Sequence, residues 1–258
     1  GVIAYTQGQQ ALERNVLDHL TTTATLKEDE INRWVSSMAQ DVELLARNPG
    51  VAEPAWVLLS EEAGSAAYEA AYQALRDYLV DVQRAKGDFL EVMILRGVGG
   101  EVLFSTNRTH EGTYEVTSSF FTEGRRRTYV QNVYPSSSLG GLAMTVATPL
   151  TRPSSVPAGQ GQAAENDIAG VMAVHLDLNR LDGIMLERGG LGTTGETYLV
   201  DQFNVFVSQA RFGQEEFPRG VHTVGIDTAL LEKADGAGTY ENYRGVPVLG
   251  AYRWIDEQ

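Results

Sequence analysis

From about Gln9 to Arg47 neither proline nor glycine interrupts the chain, and Ile31, Val35, Met38, Val42 and Leu45 step by four and three. That spacing is the period of an amphipathic helix. Thirty-odd residues rising 1.5 Å each give roughly 50 to 60 Å, the length of a spine or stalk rather than of an ordinary globular helix. The apolar seam weakens around Lys27 to Glu30, which favours a helix packed along its own domain over a self-sufficient coiled coil. A monomer or a weak homodimer is therefore expected. Asn48-Pro49-Gly50 is expected to stop this helix, and a second, marked by Tyr68, Tyr72, Leu75, Leu79 and Val82, runs near Ala66 to Ala85 and ends at Gly87.

Strand signals follow at Phe89 to Leu95, Glu101 to Ser105, Arg127 to Val133, Leu142 to Pro149 and Ile168 to Leu178, with a glycine turn at Gly97 to Gly100. They predict an antiparallel sheet. The Pro-, Ser-, Gly- and Gln-rich stretch Thr151 to Asn166 reads as a long hairpin connection. After a helix at Asn179 to Arg188 the strand pattern resumes at Thr197 to Asp201, Phe206 to Gln209, Gly238 to Tyr243 and Val246 to Ile255. The second set is a smaller echo of the first sheet, and the fold class is α+β.

Composition narrows the chemistry. A formal net charge of −14 would repel a phosphate backbone over most of the surface, so no nucleic-acid partner is expected. The chain has no cysteine, which removes disulfides, thiolate metal sites and cysteine nucleophiles. His19, His110, His175 and His222 show no metal-ligand spacing, and no nucleophile elbow, H-E-x-x-H or P-loop is present. No catalytic residue, metal or cofactor is therefore assigned. No apolar run approaches the roughly 20 residues of a membrane span. The abrupt ends, Gly1-Val2-Ile3 and Trp254 to Gln258, look like those of a piece cut from something longer.

Gly190, Gly192 and Gly195 match G-x-G-x-x-G, the phosphate-cradling pattern of dinucleotide folds. That pattern requires strand, turn, helix, so that the pyrophosphate meets a helix N-terminus. Here the order is helix, turn, strand. The glycines are better explained as a helix C-terminus that needs positive φ.

The long N-terminal helix, the run Gly-Leu-Gly-Thr-Thr-Gly-Glu-Thr-Tyr-Leu-Val-Asp at 190 to 201, and the close from Gly238-Thr239-Tyr240 through Arg244-Gly245-Val246-Pro247-Val248-Leu249-Gly250-Ala251-Tyr252 together resemble double Cache sensor domains. These are extracytoplasmic parts of bacterial chemoreceptors, histidine kinases and cyclases. The resemblance implies a stalk helix over 1–50, a membrane-distal PAS-like ligand-binding unit over 51–182 and a membrane-proximal PAS-like unit over 183–258. It also implies a small-molecule ligand in the distal unit, and flanking transmembrane helices that anchor the full-length protein and receive the conformational shift.

Members that bind amino acids carry an arginine-to-tyrosine stretch, a tyrosine-x-aspartate stretch and a final strand aspartate. Aligned with them are Ser118 to Phe121, Tyr129 to Gln131, and His175. The resemblance thus implies a pocket lined by Phe121, Tyr129, Gln131 and His175. Serine replaces the carboxylate-gripping arginine, and Gln131 and His175 stand where carboxylates would hold an ammonium, so the expected ligand is neutral or anionic. Strand alternation would place Arg127 on the face of Tyr129 and Gln131, as an anion contact. The expected role is a ligand-sensing module without enzymatic activity. The rivals are a ligand-free spacer, dimerisation or partner-binding module, and a soluble hydrolase. Tyr198, Tyr240, Tyr243 and Tyr252 either line a second pocket or fill a small core.

Overall fold

The computed structural model describes residues 2–155, 168–212 and 220–256. Helix α1, Val2–Arg47, is continuous over 46 residues. The chain divides into two compact units, one holding residues 35–178 and the other residues 2–34 and 179–256. No helix among the described residues is long and apolar enough to cross a membrane.

In the first unit α1 buries Val35, Met38, Val42 and Leu45, the positions that the four-three spacing selects. Asn48 ends α1 and begins α2, Pro49–Ser60, because its carboxamide accepts the Gly50 N–H and Pro49 occupies the first helical turn. The expected stop is therefore also a start, and α2 is an element the apolar pattern missed. Helix α3, Ala66–Lys86, is capped by Ser65, which accepts the Tyr68 N–H, and by Gly87 at φ +65°.

Five antiparallel strands follow: β1 Phe89–Arg96, β2 Val102–Ser105, β3 Tyr129–Ser136, β4 Gly141–Thr151 and β5 Ile168–Leu176, in the order β2-β1-β5-β4-β3. One face, with Val92, Ile94, Val146, Met172 and Val174 wholly buried, receives α2 and α3. The other carries Met93, Leu95, Ala147, Val171 and Ala173 and is covered by a short helix, α4, Ser119–Gly124, through Phe120 and Phe121. Gly124 permits the approach, since a Cβ there would lie 2.6 Å from the Ala147 Cβ. Strand β3 begins at Tyr129, two residues after the expected Arg127. Most of the expected connection Thr151 to Asn166 lies outside the described residues.

In the second unit α5, Asn179–Leu186, ends in the glycine run, where Gly189, Gly190 and Gly192 all have positive φ, as a turn leaving a helix requires. The two strands expected at 197–201 and 206–209 form only an isolated bridge, Val200 to Phe206. Two backbone bonds join them, from the Asp201 N–H to the Val205 carbonyl and from the Val207 N–H to the Leu199 carbonyl, and side chains take further donors: Ser208 Oγ accepts the Leu199 N–H, and Asp201 accepts the N–H groups of Phe203 and Val205. A further helix absent from the sequence expectation, α6, Val224–Glu232, is capped by Thr223. Strands β6, Gly236–Glu241, and β7, Pro247–Tyr252, close the unit as a hairpin. Its core is aromatic, with Tyr198, Phe206 and Tyr243 in mutual edge-to-face contact at 5.2 to 5.3 Å.

The polar interruption in α1 serves this second unit. Lys27 is buried and donates to the carbonyls of Ile184 and Glu187 at the end of α5, and burial lowers its pKa. Glu28 pairs with Arg253 and Glu30 with Arg180. The residues that weaken the apolar seam are thus fastenings for α5 and for the segment after β7.

Candidate functional site

On the α4-covered face of the first unit a polar row crosses the sheet. Register places Gln131 of β3 beside Thr145 of β4, Thr145 beside His175 of β5, and His175 beside Glu91 of β1. Thr145, His175 and Glu91 are each at most 1% exposed. Isolated polar groups at such depth are costly unless bonded, so their partners define what the row can do.

His175 Nδ1 lies 2.7 Å from Thr145 Oγ1, which lies 2.8 Å from the Tyr134 hydroxyl. The threonine has one proton to give. When the tyrosine donates to Thr145 and Thr145 donates to Nδ1, Nε2 of the neutral ring carries the remaining N–H. Nε2 is buried and has no hydrogen-bond partner among the described residues. Desolvation lowers the His175 pKa to about 4, with His110 adding to the effect, so the ring is neutral at pH 7. Phe120 packs edge-on against it at 5.8 Å. Tyr134 is pushed up to about 12 by burial, opposed by its bond with Thr145 and assisted by the charges of Glu115 and Glu91.

Glu91 is held by the Ser105 hydroxyl and by His110 Nδ1 at 2.8 Å. His110 Nε2 lies 3.2 Å from the Ser138 carbonyl, so both ring nitrogens face acceptor oxygens. The loop that delivers His110 is fixed from behind: Glu111 accepts from the Ser105 N–H, from Tyr72 and from Arg76 of α3. Glu115, on the segment leading to α4, accepts from the Ser118 hydroxyl and has no ion-pair partner among the described residues.

The structure brings Tyr129, Gln131 and His175 to this face, with Phe121 buried in the apolar cluster beneath it. Gln131 Oε1 accepts the Phe120 N–H at 2.7 Å, which supplies the α4 cap that Ser118 does not make through its side chain. Arg127 precedes β3, is 62% exposed, stacks over the Tyr129 ring at 5.3 Å and lies 3.9 Å from Glu123. Glu91 and Thr145 of the row, and Tyr134 and His110 that bond to them, were not singled out from sequence as site residues. A lone carboxylate in the apolar run Phe89 to Leu95 was a usable signal for Glu91. Tyr134 was hidden by a register shift between Gln131 and Tyr134, which turns an even-numbered residue onto the odd-numbered face.

In the second unit Glu196 is half-buried with a raised pKa, caused first by desolvation. It accepts from the Tyr243 hydroxyl at 3.0 Å and the Phe212 N–H at 3.2 Å. Tyr198 and Tyr243 belong to the aromatic core.

The family model described as a Cache domain, dCache_1, matches residues 8–258. The sensory domain of the Campylobacter jejuni chemoreceptor Tlp3 superposes with a TM-score of 0.65 at 15% identity, covering 95% of this chain and 92% of that one. The ligand-binding domain of the same receptor in complex with L-norvaline gives 0.65 at 16% identity, over 93% and 87% of the two chains. The sensor domain of the Vibrio cholerae histidine kinase DctB gives 0.59 at 14% identity, over 90% and 86%. At such identities the likeness is one of fold. No curated protein sequence matches the chain.

Proposed function

The chain belongs to the double Cache family of extracytoplasmic sensor domains, and on that premise we propose that it binds a small molecule on the α4-covered face of its five-stranded sheet, as the sensing part of a bacterial transmembrane receptor. One observation supports the location: among the described residues His175 Nε2 is a buried polar atom without a partner, in the middle of a polar row. A buried group left unmatched costs about 1–3 kcal/mol, which a ligand atom bonded to it would recover. Tyr129, Gln131, Tyr134 and Thr145 share its face and would surround that atom, with Phe121 forming the apolar floor. Arg127 would lie at the margin, where its exposed guanidinium allows at most a peripheral contact.

The module performs no chemistry in this proposal. Its residues bind and orient, and the binding free energy biases the sheet, α4 and the His110 loop toward one arrangement that flanking membrane helices would read. The test is a thermal-shift screen of amino acids, amines, carboxylates and sugars, followed by calorimetry of any hit on Thr145→Val and Tyr129→Ala. Thr145→Val keeps the shape and removes the hydroxyl that orients His175. Both variants should weaken the hit at least about tenfold, equivalent to about 1.4 kcal/mol. Wild-type affinity in both would place the site elsewhere.

A further inference from the structure

We infer that the second unit carries a binding site of its own: the face of the β6–β7 hairpin beneath α6 takes a small uncharged ligand, a carbonyl oxygen on a compact apolar body, in a notch with Gly238 as its floor and Tyr240 and Tyr252 as its walls. The inference is independent of the site in the first unit. It also divides the tyrosines of this unit by role. Tyr243 is tied into the aromatic core through Glu196, whereas Tyr240 and Tyr252 stand on the hairpin.

Alternation along the paired strands puts Gly236, Gly238 and Tyr240 of β6 on one face with Gly250 and Tyr252 of β7. Thr239, on the opposite face, donates to Glu13 of α1 at 3.2 Å, so the glycine-tyrosine face is turned away from α1 and toward α6. Glycine inside a strand weakens it and marks a close approach, by other parts of the chain or by a ligand. Two of the three strand glycines are explained from within the fold. A Cβ on Gly250 would take the place of the Tyr240 hydroxyl, and one on Gly236 that of the Tyr252 hydroxyl. Gly225 of α6 is explained in the same way, since its Cβ would lie 2.7 Å from the Tyr252 ring and 3.1 Å from the Tyr240 hydroxyl. Gly238 is different: a Cβ there would meet nothing within 4 Å, and its φ is not positive. Among the described residues neither a contact nor backbone strain requires glycine at 238. The space above it is open, beside two rings whose centroids lie 6.4 Å apart.

The hydroxyls set the chemistry of the notch. Among the described residues neither Tyr240 nor Tyr252 makes a hydrogen bond, although their rings meet, and Tyr198 makes none either. Burial raises the pKa of Tyr198 and of Tyr240, with Tyr240 adding to the first and Tyr252 to the second, so both keep their protons at pH 7 and can donate. A donating hydroxyl at the edge of an aromatic ring suits a carbonyl oxygen carried by an apolar body. Cations that would draw an anion are engaged elsewhere: Arg211 and Arg244 lie over the Phe212 ring, Lys233 over Trp254, and Arg253 pairs with Glu28 and Asp235. The Glu196 carboxylate, which acts on Tyr198, is taken up by Tyr243 and the Phe212 N–H. An ion of either sign would therefore shed its water without a counter-charge, and an uncharged ligand is favoured.

Three ring compounds of similar size separate the possibilities at pH 7: pyrrolidinone, uncharged; pyrrolidine, a cation; and cyclobutanecarboxylate, an anion. Each is titrated into protein carrying isotope-labelled tyrosine, and the ring signals of Tyr240 and Tyr252 are followed by NMR. Pyrrolidinone should shift both signals saturably and bind more tightly than either ion. Gly238→Val fills the notch with a residue suited to a strand and should raise the Kd at least about tenfold. Tyr240→Phe, which keeps the ring and removes the hydroxyl, should also weaken binding, and Thr145→Val in the first unit should leave it unchanged. The unliganded melting temperature checks folding, and Gly238→Val should at least equal wild type there, since nothing crowds its side chain. If that variant does not fold, Tyr240→Phe decides. No shift up to about 50 mM, or wild-type affinity in both second-unit variants, would remove the site. Tighter binding of either ion would overturn the uncharged class. Loss of binding in Thr145→Val alone would assign the probe to the first unit and overturn this inference while leaving that site standing.

Discussion

His175, buried, and Glu196, half-buried, are titratable groups, one in each unit, and desolvation moves their pKa values in opposite directions. Desolvation drives His175 down to about 4 and raises Glu196. Both shifts favour the neutral species, but the surroundings differ. Glu196 accepts from Tyr243 and from the Phe212 N–H, within a core of interlocked aromatic rings. His175 is matched on one nitrogen and, among the described residues, unmatched on the other. A satisfied, half-buried carboxylate among aromatics fits a structural core, whereas the unmatched ring nitrogen in a polar row is the atom that the proposed ligand would complete.

The largest test of this contrast is pH. Between its folded value of about 4 and its unfolded value of 6.5, His175 is protonated in the unfolded chain and neutral in the folded one. Its contribution is therefore fully present above pH 6.5 and is lost as pH falls through that window, by about 3 kcal/mol. Glu196 works the other way, since its raised pKa gives a contribution present at acid pH and lost as pH rises through its folded value. Hydrogen exchange read separately in β5 and around Tyr243 should show protection falling in the first as pH drops from 6.5 to 4, beyond any loss in the second. His175→Gln should flatten the difference. Parallel pH profiles in the two regions, or a profile unchanged by His175→Gln, would contradict the contrast.

The next effect in size concerns the satisfied group. Tyr243→Phe keeps the ring and removes the hydroxyl, leaving Glu196 with the Phe212 N–H. The cost should be about 1–2 kcal/mol at most and larger near neutral pH than at pH 4, because a protonated carboxyl has less to lose than a carboxylate. Denaturant titration at the two pH values checks this, and an equal loss at both would mean that the hydroxyl does not act through the Glu196 charge.

How much of this was legible in the chain follows from the range over which each signal acts. The α1 and α3 periods and the apolar runs of β1, β4 and β5 are local and repeat over many residues, so they survive without tertiary context. Helix α4 spans six residues, too few to show a helical period, and α2 hides behind an Asn-Pro-Gly triplet that caps one helix while ending another. At 197–209 the alternation of Tyr198, Val200, Phe206 and Ser208 resembles a ladder, but only two backbone bonds form, and the Asp201 and Ser208 side chains accept the N–H groups of Leu199, Phe203 and Val205. The site divides along the same line. Tyr129, Gln131 and His175 could be aligned with a family pattern because they sit at regular strand positions. Tyr134 owes its direction to a bulge, and Glu91 and His110 come to the polar row only through strand pairing and loop closure.

The smallest effect separates the fastenings of the second unit from one another. Arg180 and Glu30 form an ion pair at 2.9 Å with side chains 54% and 34% exposed, so solvent screens their attraction and two long side chains lose freedom in making it. Arg180→Ala should cost no more than about 0.5 kcal/mol, and that small loss should fade in molar salt. Lys27 lies three residues away on α1, buried, with the carbonyls at the end of α5 as its acceptors, so the same charge sign has a different role there. If Arg180→Ala cost more than about 1 kcal/mol, or if its cost were indifferent to salt, the pair would have to be counted with the buried fastenings. The polar stretch Lys27 to Glu30 would then act as one cooperative anchor rather than as a buried lysine beside a screened surface pair.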